Sequence, residues 1–202
     1  MRRHKKLYER IISFQNLLKA AKLAEKYKRL NYSAANFNFY LEKNLWQLHN
    51  ELKTRKYSPG EYHHFPIFEP KHRIISAAPY RDRVIHHAIH NILLPIFDPS
   101  FIFDSYATRI GKGTHKAIDR FQDFARKTKY ALKCDIQKYF PSIDREILFS
   151  LIMRKIACPD TLWLIKKILD FSQNCDKGTP LAINQSINQS INQSINQSMV
   201  FL

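Results

Sequence analysis

Two stretches with apolar residues at helical spacing, a break built on Pro and Gly, and two short runs of strand-type residues set the class of fold open to this chain. From Leu7 to Leu30 the apolar positions Ile11, Ile12, Leu17, Leu18, Ala21 and Ala24 recur among lysines. Asn36 to Thr54 repeats the pattern through Phe39, Leu41, Leu45, Trp46, Leu48 and Leu52. Recurrence at three and four residues collects side chains on one helix face, so two amphipathic basic helices are predicted. After Tyr57-Ser58-Pro59-Gly60, the runs Tyr62 to Phe68 and Arg73 to Ala77 flank Glu69-Pro70-Lys71-His72. They read as a β-hairpin with a cationic tip. Helical spacing resumes over Arg81 to Phe97, stopping near Pro95 and Pro99, and again over Thr114 to Lys127 after Gly111-Lys112-Gly113. Tyr130 to Ile136 then reads as a compact apolar strand that ends on an acid. Asp144 to Ile156 and Asp160 to Ser172 read as helices, the first with Ser142 and Asp144 as capping candidates. The expected class is α+β, mostly helical, with one hairpin and one further strand.

From Ile183 to Ser198 the tetrapeptide Ile-Asn-Gln-Ser occurs four times without variation. A solenoid buries an apolar face and tolerates variation, whereas this repeat has a single Ile per unit. Written as ATC-AAT-CAA-TCA, the tetrapeptide is a repeated ATCA unit that encodes the same cycle in every forward frame, so a translated microsatellite and a shift of frame account for it. Three parts follow: basic N-terminal helices over 1–56, a packed region over 57–181, and a low-complexity tail over 182–202.

The formal net charge is +16 with a sequence pI near 9.8. Such an excess implies a polyanionic partner, because each cation set on a phosphate releases condensed counterions. Met1 to Gly60 holds 14 Lys and Arg against 4 acids, so this third is the expected clamp on a nucleic-acid backbone. The run Arg2-Arg3-His4-Lys5-Lys6 alone would pass for a solvated terminus. Cys134, Cys158 and Cys175 are odd in number, far apart and contain no Cys-X-X-Cys pair, so neither a zinc ribbon nor a disulfide framework is supported and reduced thiols are expected. With no apolar run long enough for a bilayer and no signal-peptide core, the expectation is a cytoplasmic protein without membrane contact.

The sharpest segment for chemistry is Lys133-Cys134-Asp135-Ile136-Gln137-Lys138-Tyr139-Phe140-Pro141-Ser142-Ile143-Asp144. A carboxylate at the end of a buried strand is costly unless it holds a cation or accepts hydrogen bonds, so Asp135 is either a metal ligand or a cap. The segment resembles polymerase motif A of reverse transcriptases, in which Phe or Tyr follows the Asp by five residues. Upstream, Pro70 to Pro79, Tyr80 to Ala88, and Phe97 to Gly113 with its Phe103-Asp104-Ser105-Tyr106-Ala107-Thr108-Arg109 are similar to the three preceding motifs of the family, in order.

The resemblance, to reverse transcriptases of the group II intron, retron and diversity-generating kind, covers Tyr57 to Leu181 well and the N-terminal helices loosely. It implies the fingers and partial palm of a right-hand polymerase. It further implies that Asp135 and the backbone carbonyl of Ile136 hold Mg²⁺, that Phe140 lies under the sugar of the incoming nucleotide, and that Lys71 and Arg73 grip its triphosphate. Arg81, Arg83, Arg109 and Lys112 are the candidates for nucleic-acid contacts, with Arg81 and Arg83 equally open to a structural role. The implied partners are an RNA template, a DNA primer and a dNTP. His86 and His90 lie one helical turn apart, but no third ligand suggests itself, and a surface or groove-facing pair is expected.

Two-metal phosphoryl transfer needs further carboxylates. The family supplies them from a Tyr-X-Asp-Asp turn, whereas here Gly178-Thr179-Pro180-Leu181 runs into the repeat and no Asp-Asp occurs. The expectation is therefore a truncated polymerase, inactive alone and of low solubility. The alternatives are a non-catalytic RNA-binding module, or a split enzyme completed in trans by a downstream polypeptide that carries the rest of the palm and thumb.

Overall fold

The computed structural model describes residues 3–26, 28, 30–68, 72–136, 142–173 and 179–180. The first stretch of helical periodicity forms two helices, α1 (Tyr8–Ile12) and α2 (Phe14–Glu25). The division falls at Ser13, which leaves helical geometry at φ −53° and ψ 138° while its side chain accepts a hydrogen bond from the Asn16 backbone N–H. The serine hydroxyl replaces a partner the new helix lacks, so the chain turns where an unbroken helix was expected.

The second stretch divides likewise into α3 (Tyr32–Phe39) and α4 (Leu41–Lys53) at Tyr40. There the Asn44 amide donates to the Phe37 carbonyl at 2.9 Å, covering an oxygen that the break leaves open. Four helices thus stand where two were predicted, because an apolar stripe survives a turn that its spacing does not reveal.

The hairpin is present: β1 (His63–Ile67) pairs antiparallel with β2 (Arg73–Ala77) from His63 opposite Ala77 to Ile67 opposite Arg73. Its tip, 69–71, lies outside the described residues. β2 also pairs in parallel with β3 (Thr179–Pro180), giving the order β1-β2-β3. β1 is thus an edge strand, the position where Pro66, with no N–H to donate, is tolerated.

α5 (Tyr80–Phe97) is the centre of the packing, set against α1, α2 and α3. Its Ile85, Ala88 and Ile89 are buried with Leu17, Ala20, Ala21 and Ala24 of α2, whose small side chains let the two helices approach closely. Pro95 is accommodated in the last turn, and the helix gives way to a 3-10 turn at Asp98–Ser100. Asn16 fastens the break at Ser13 to this helix. Its amide donates to the carbonyls of Ile11 and Ala88, each at 2.9 Å, and its oxygen accepts from Asn91 at 3.1 Å. Asn16→Ala removes the buried amide that bridges the Ile11 and Ala88 carbonyls and is expected to cost about 2 kcal/mol in urea unfolding. A loss under about half a kcal/mol would show that water replaces the amide.

α7 (Arg145–Lys155) opens on Asp144, whose side chain accepts from the backbone N–H of Glu146 and Ile147 at 2.8 and 3.0 Å, the cap the sequence predicts. α8 (Pro159–Gln173) completes the core with Leu164, Ile165, Ile168 and Leu169. His4 joins this end through a parallel bridge to Ile156.

Two parts depart from expectation. α6 (Thr114–Ala125) has no buried residue, and Ile118 and Phe121 stand exposed. The strand expected over Tyr130 to Ile136 is not formed. These residues are exposed, without regular structure, and pair with no strand among the described residues. Strand-type composition fixes a strand only where a neighbour takes up its backbone N–H and C=O groups. No helix of the described residues is long and apolar enough to cross a membrane.

Candidate nucleic-acid interface

The root of the hairpin is held by one buried carboxylate. Asp82, only 1% exposed, accepts from the Tyr57 hydroxyl at 2.9 Å and from the Gly60 backbone N–H at 2.7 Å. Burial pushes its carboxyl up, and the Gly60 N–H, the Tyr57 hydroxyl and Arg81 pull the other way. A side chain at Gly60 would be tight, since a Cβ would stand 3.0 Å from the Pro79 ring and 3.4 Å from the Asp82 carboxylate. The Pro-Gly break was legible in the sequence, but the carboxylate that receives it was not. The available signal was an acid in the first turn of a helix that begins immediately after a proline.

Arg81 pairs with Glu51 of α4 and lies with its guanidinium 5.4 Å from the Tyr57 ring centroid. It thereby ties α5 to α4. Arg83, two residues on, packs over the Tyr80 ring at 5.4 Å, and its Nε is buried with no hydrogen-bond partner. Burial lowers its pKa.

The loop from Asp98 to Gly113 is fastened by Arg109. Its Nε donates to Asp98 at 2.8 Å, and its terminal nitrogens donate to the carbonyls of Ile102 and Asp98 at 3.0 and 3.2 Å. Lys112 donates to the Phe103 carbonyl at 2.5 Å with its ammonium 3.7 Å from that ring's centroid. Asp104 accepts from Arg120 and from the Tyr106 hydroxyl at 2.9 and 3.0 Å, and the Arg120 hydrogen bond holds its carboxyl below the usual range. Gly113, at φ 122°, leads into α6 with a backbone that L side chains rarely adopt. Phe103 is 70% exposed beside Lys112 and Arg120, giving this loop an aromatic and cationic outer surface.

Asp135 is exposed, and its Oδ1 accepts from the Ile136 backbone N–H at 3.0 Å. It therefore does not end a buried strand. Lys71 and Phe140 lie outside the described residues, as does the side chain of Arg73, whose backbone is in β2. A magnesium ion asks for several oxygen ligands in octahedral array. Among the described residues no three His, Cys, Asp or Glu come together as a metal site, and one exposed carboxylate with a neighbouring carbonyl does not make one.

His86 and His90 do not form a surface pair. His86 is 3% exposed, its Nδ1 has no partner, and burial lowers its pKa to about 3. The adjacent His87 is lowered to about 4 by burial and by the charges of His90, Lys28 and Arg83. The helix turns position 86 toward the core, a rotation that the one-turn spacing of the pair does not fix.

Residues 63–196 match the family described as reverse transcriptase (RNA-dependent DNA polymerase). Among individual proteins, nuclear intron maturase 1, mitochondrial, of Arabidopsis thaliana is 25% identical over 93 residues, 46% of this chain and 13% of that protein. The uncharacterized mitochondrial protein ymf11 of Marchantia polymorpha is 25% identical over 87 residues, 43% of this chain and 12% of that protein. The aligned part thus spans about an eighth of the length of these relatives.

Proposed function

Because this chain belongs to the reverse transcriptase family, we propose that it supplies the fingers and a partial palm of an RNA-directed DNA polymerase and holds structured RNA through its basic surface. The observation that carries this reading is the family match over residues 63–196. The net charge of +16 supplies the attraction for a phosphate backbone. Reverse transcriptases bind an RNA template and dNTPs and use divalent metal ions. In this chain Lys71 and Arg73 are proposed to receive the triphosphate, Phe140 the nucleotide sugar, and Asp135 with the Ile136 carbonyl one Mg²⁺. Lys112, on the outer face of its loop, is proposed to meet nucleic acid, whereas Arg81 and Arg109 act first on their own chain through Glu51 and Asp98. The name of one relative, an intron maturase, favours the intron type over the retron and diversity-generating types.

These residues are not proposed to polymerise DNA unaided, since two-metal transfer needs carboxylates beyond Asp135 and no Asp-Asp occurs among them. Completion by another polypeptide is favoured over a free-standing RNA-binding module by one observation. α6 and 130–136 are amphipathic or apolar in sequence yet expose Ile118, Phe121 and Leu132.

The test uses the full 202-residue chain. Filter binding to a structured intron RNA should give an affinity that falls steeply between 50 and 200 mM salt, on the order of a thousandfold. Primer extension with magnesium should be absent, and should appear on co-expression with a polypeptide bearing a Tyr-X-Asp-Asp turn and thumb. Salt-independent binding would remove the RNA reading, and extension by the chain alone would remove the need for completion.

A further inference from the structure

Arg83, His86, His87 and His90 recur along α5 at the three- and four-residue spacing that places side chains on one side of a helix. Lys28, from the link between α2 and α3, is close enough to bear on both Arg83 and His87. Five groups able to carry positive charge therefore meet in one place. None of them pairs with a carboxylate among the described residues. The acid of this neighbourhood, Glu25, bears on the Tyr80 hydroxyl. Two of the nitrogens, Arg83 Nε and His86 Nδ1, are fully buried without a hydrogen-bond partner. Buried polar groups are ordinarily satisfied, and the two cations Lys28 and Arg83 repel one another unless an anion joins them, while neutral imidazoles offer hydrogen-bonding edges.

We propose that Lys28, Arg83 and His87, with the unpartnered edge of His86, form a binding site for a phosphate-type oxyanion. A guanidinium offers a planar fork of donors to a tetrahedral oxyanion, an imidazole N–H adds a directed donor, and an exposed ammonium adds charge. The Tyr80 ring, 5.4 Å from the Arg83 guanidinium, holds that fork in place. Three histidines in one cluster also raise the possibility of a metal. Among the described residues, however, no three of them come together as a metal site, and the neighbouring Arg and Lys would oppose a cation. Lys28 is exposed and Arg83, His87 and His90 are half-buried, so the cationic side of the site meets solvent. This inference stands apart from the polymerase reading, because the same donors serve a free phosphate and a phosphate of an RNA backbone.

The experiment takes the full chain with Lys28→Gln and Arg83→Gln, the first on an exposed residue so that folding is retained. Inorganic phosphate, titrated against chloride at matched ionic strength, should raise the melting midpoint of the wild type by a few degrees. Each variant should weaken the apparent affinity about tenfold. If phosphate has no effect but a single-stranded RNA 12-mer loses about one unit of its logarithmic salt slope in each variant, the ligand is a backbone phosphate. Variants that match the wild type with both probes overturn the site. RNA binding that neither variant weakens does so while leaving the family reading intact.

Discussion

Asp82→Ala is expected to lower the unfolding free energy by about 3–5 kcal/mol. The carboxylate is the shared acceptor for the Tyr57 hydroxyl and the Gly60 N–H, both at the root of the hairpin. Truncation strands the Tyr57 hydroxyl in a fully buried position and leaves a void where the carboxylate stood. Tyr57→Phe removes one donor and keeps the ring in place, so its cost should be nearer 1 kcal/mol. Paired urea titrations of the two variants measure the difference. Equal losses would mean that Asp82 contributes no more than one hydrogen bond, and the account of the hairpin root would fail. The proposed triphosphate contact would be affected as well, because Arg73 begins β2 of this hairpin.

Acidification from pH 7.5 to 5 should destabilise the fold by several kcal/mol. The sign follows from the direction of the shift. His86 has its pKa lowered by burial from 6.5 to about 3, so the unfolded chain takes up a proton well before the folded one. Stability is full above the unfolded value and falls as pH drops below it, by about 1.4 kcal/mol per unit. At pH 5 His86 alone accounts for roughly 2 kcal/mol. His87, lowered to about 4 and less buried, adds a smaller part of the same sign. Unfolding measured in chloride, without oxyanion buffers, should show this slope, and His86→Leu should flatten it by about half. A profile unchanged by that substitution would place the titration elsewhere.

The helical character of α2, α4, α5, α6, α7 and α8 was legible because their apolar positions recur at helical spacing, and the Pro-Gly break announced the hairpin. The turns at Ser13 and Tyr40 were not, since a break that keeps both faces pointing to one core leaves the periodicity intact. Position 86 misled for a related reason: spacing gives neighbours on a helix but not the rotation of that helix against its surroundings, and here His86 is 3% exposed. The segment ending at Asp135 has the composition of a strand, yet a strand is a property of two segments, and the described residues offer it no neighbour. Asp135 was singled out by its place at the end of an expected strand, whereas the roles given to Lys71, Arg73 and Phe140 came from resemblance. Of these, Asp135 is the one whose side chain is described, and it is exposed.

The bridge between His4 and Ile156 sets an order of events during synthesis. His4 donates its N–H to the Lys155 carbonyl at 2.7 Å and accepts from the Ala157 N–H at 2.8 Å, residues that leave the ribosome some 150 positions later. At about 5–20 residues per second the N-terminal segment waits on the order of ten to thirty seconds for this partner. Meanwhile α1, α2, α4 and α5 can already pack against one another. The bridge is thus among the last contacts to form, and a pause in translation ahead of α7 would lengthen the time that His4 and its basic neighbours stay unpaired.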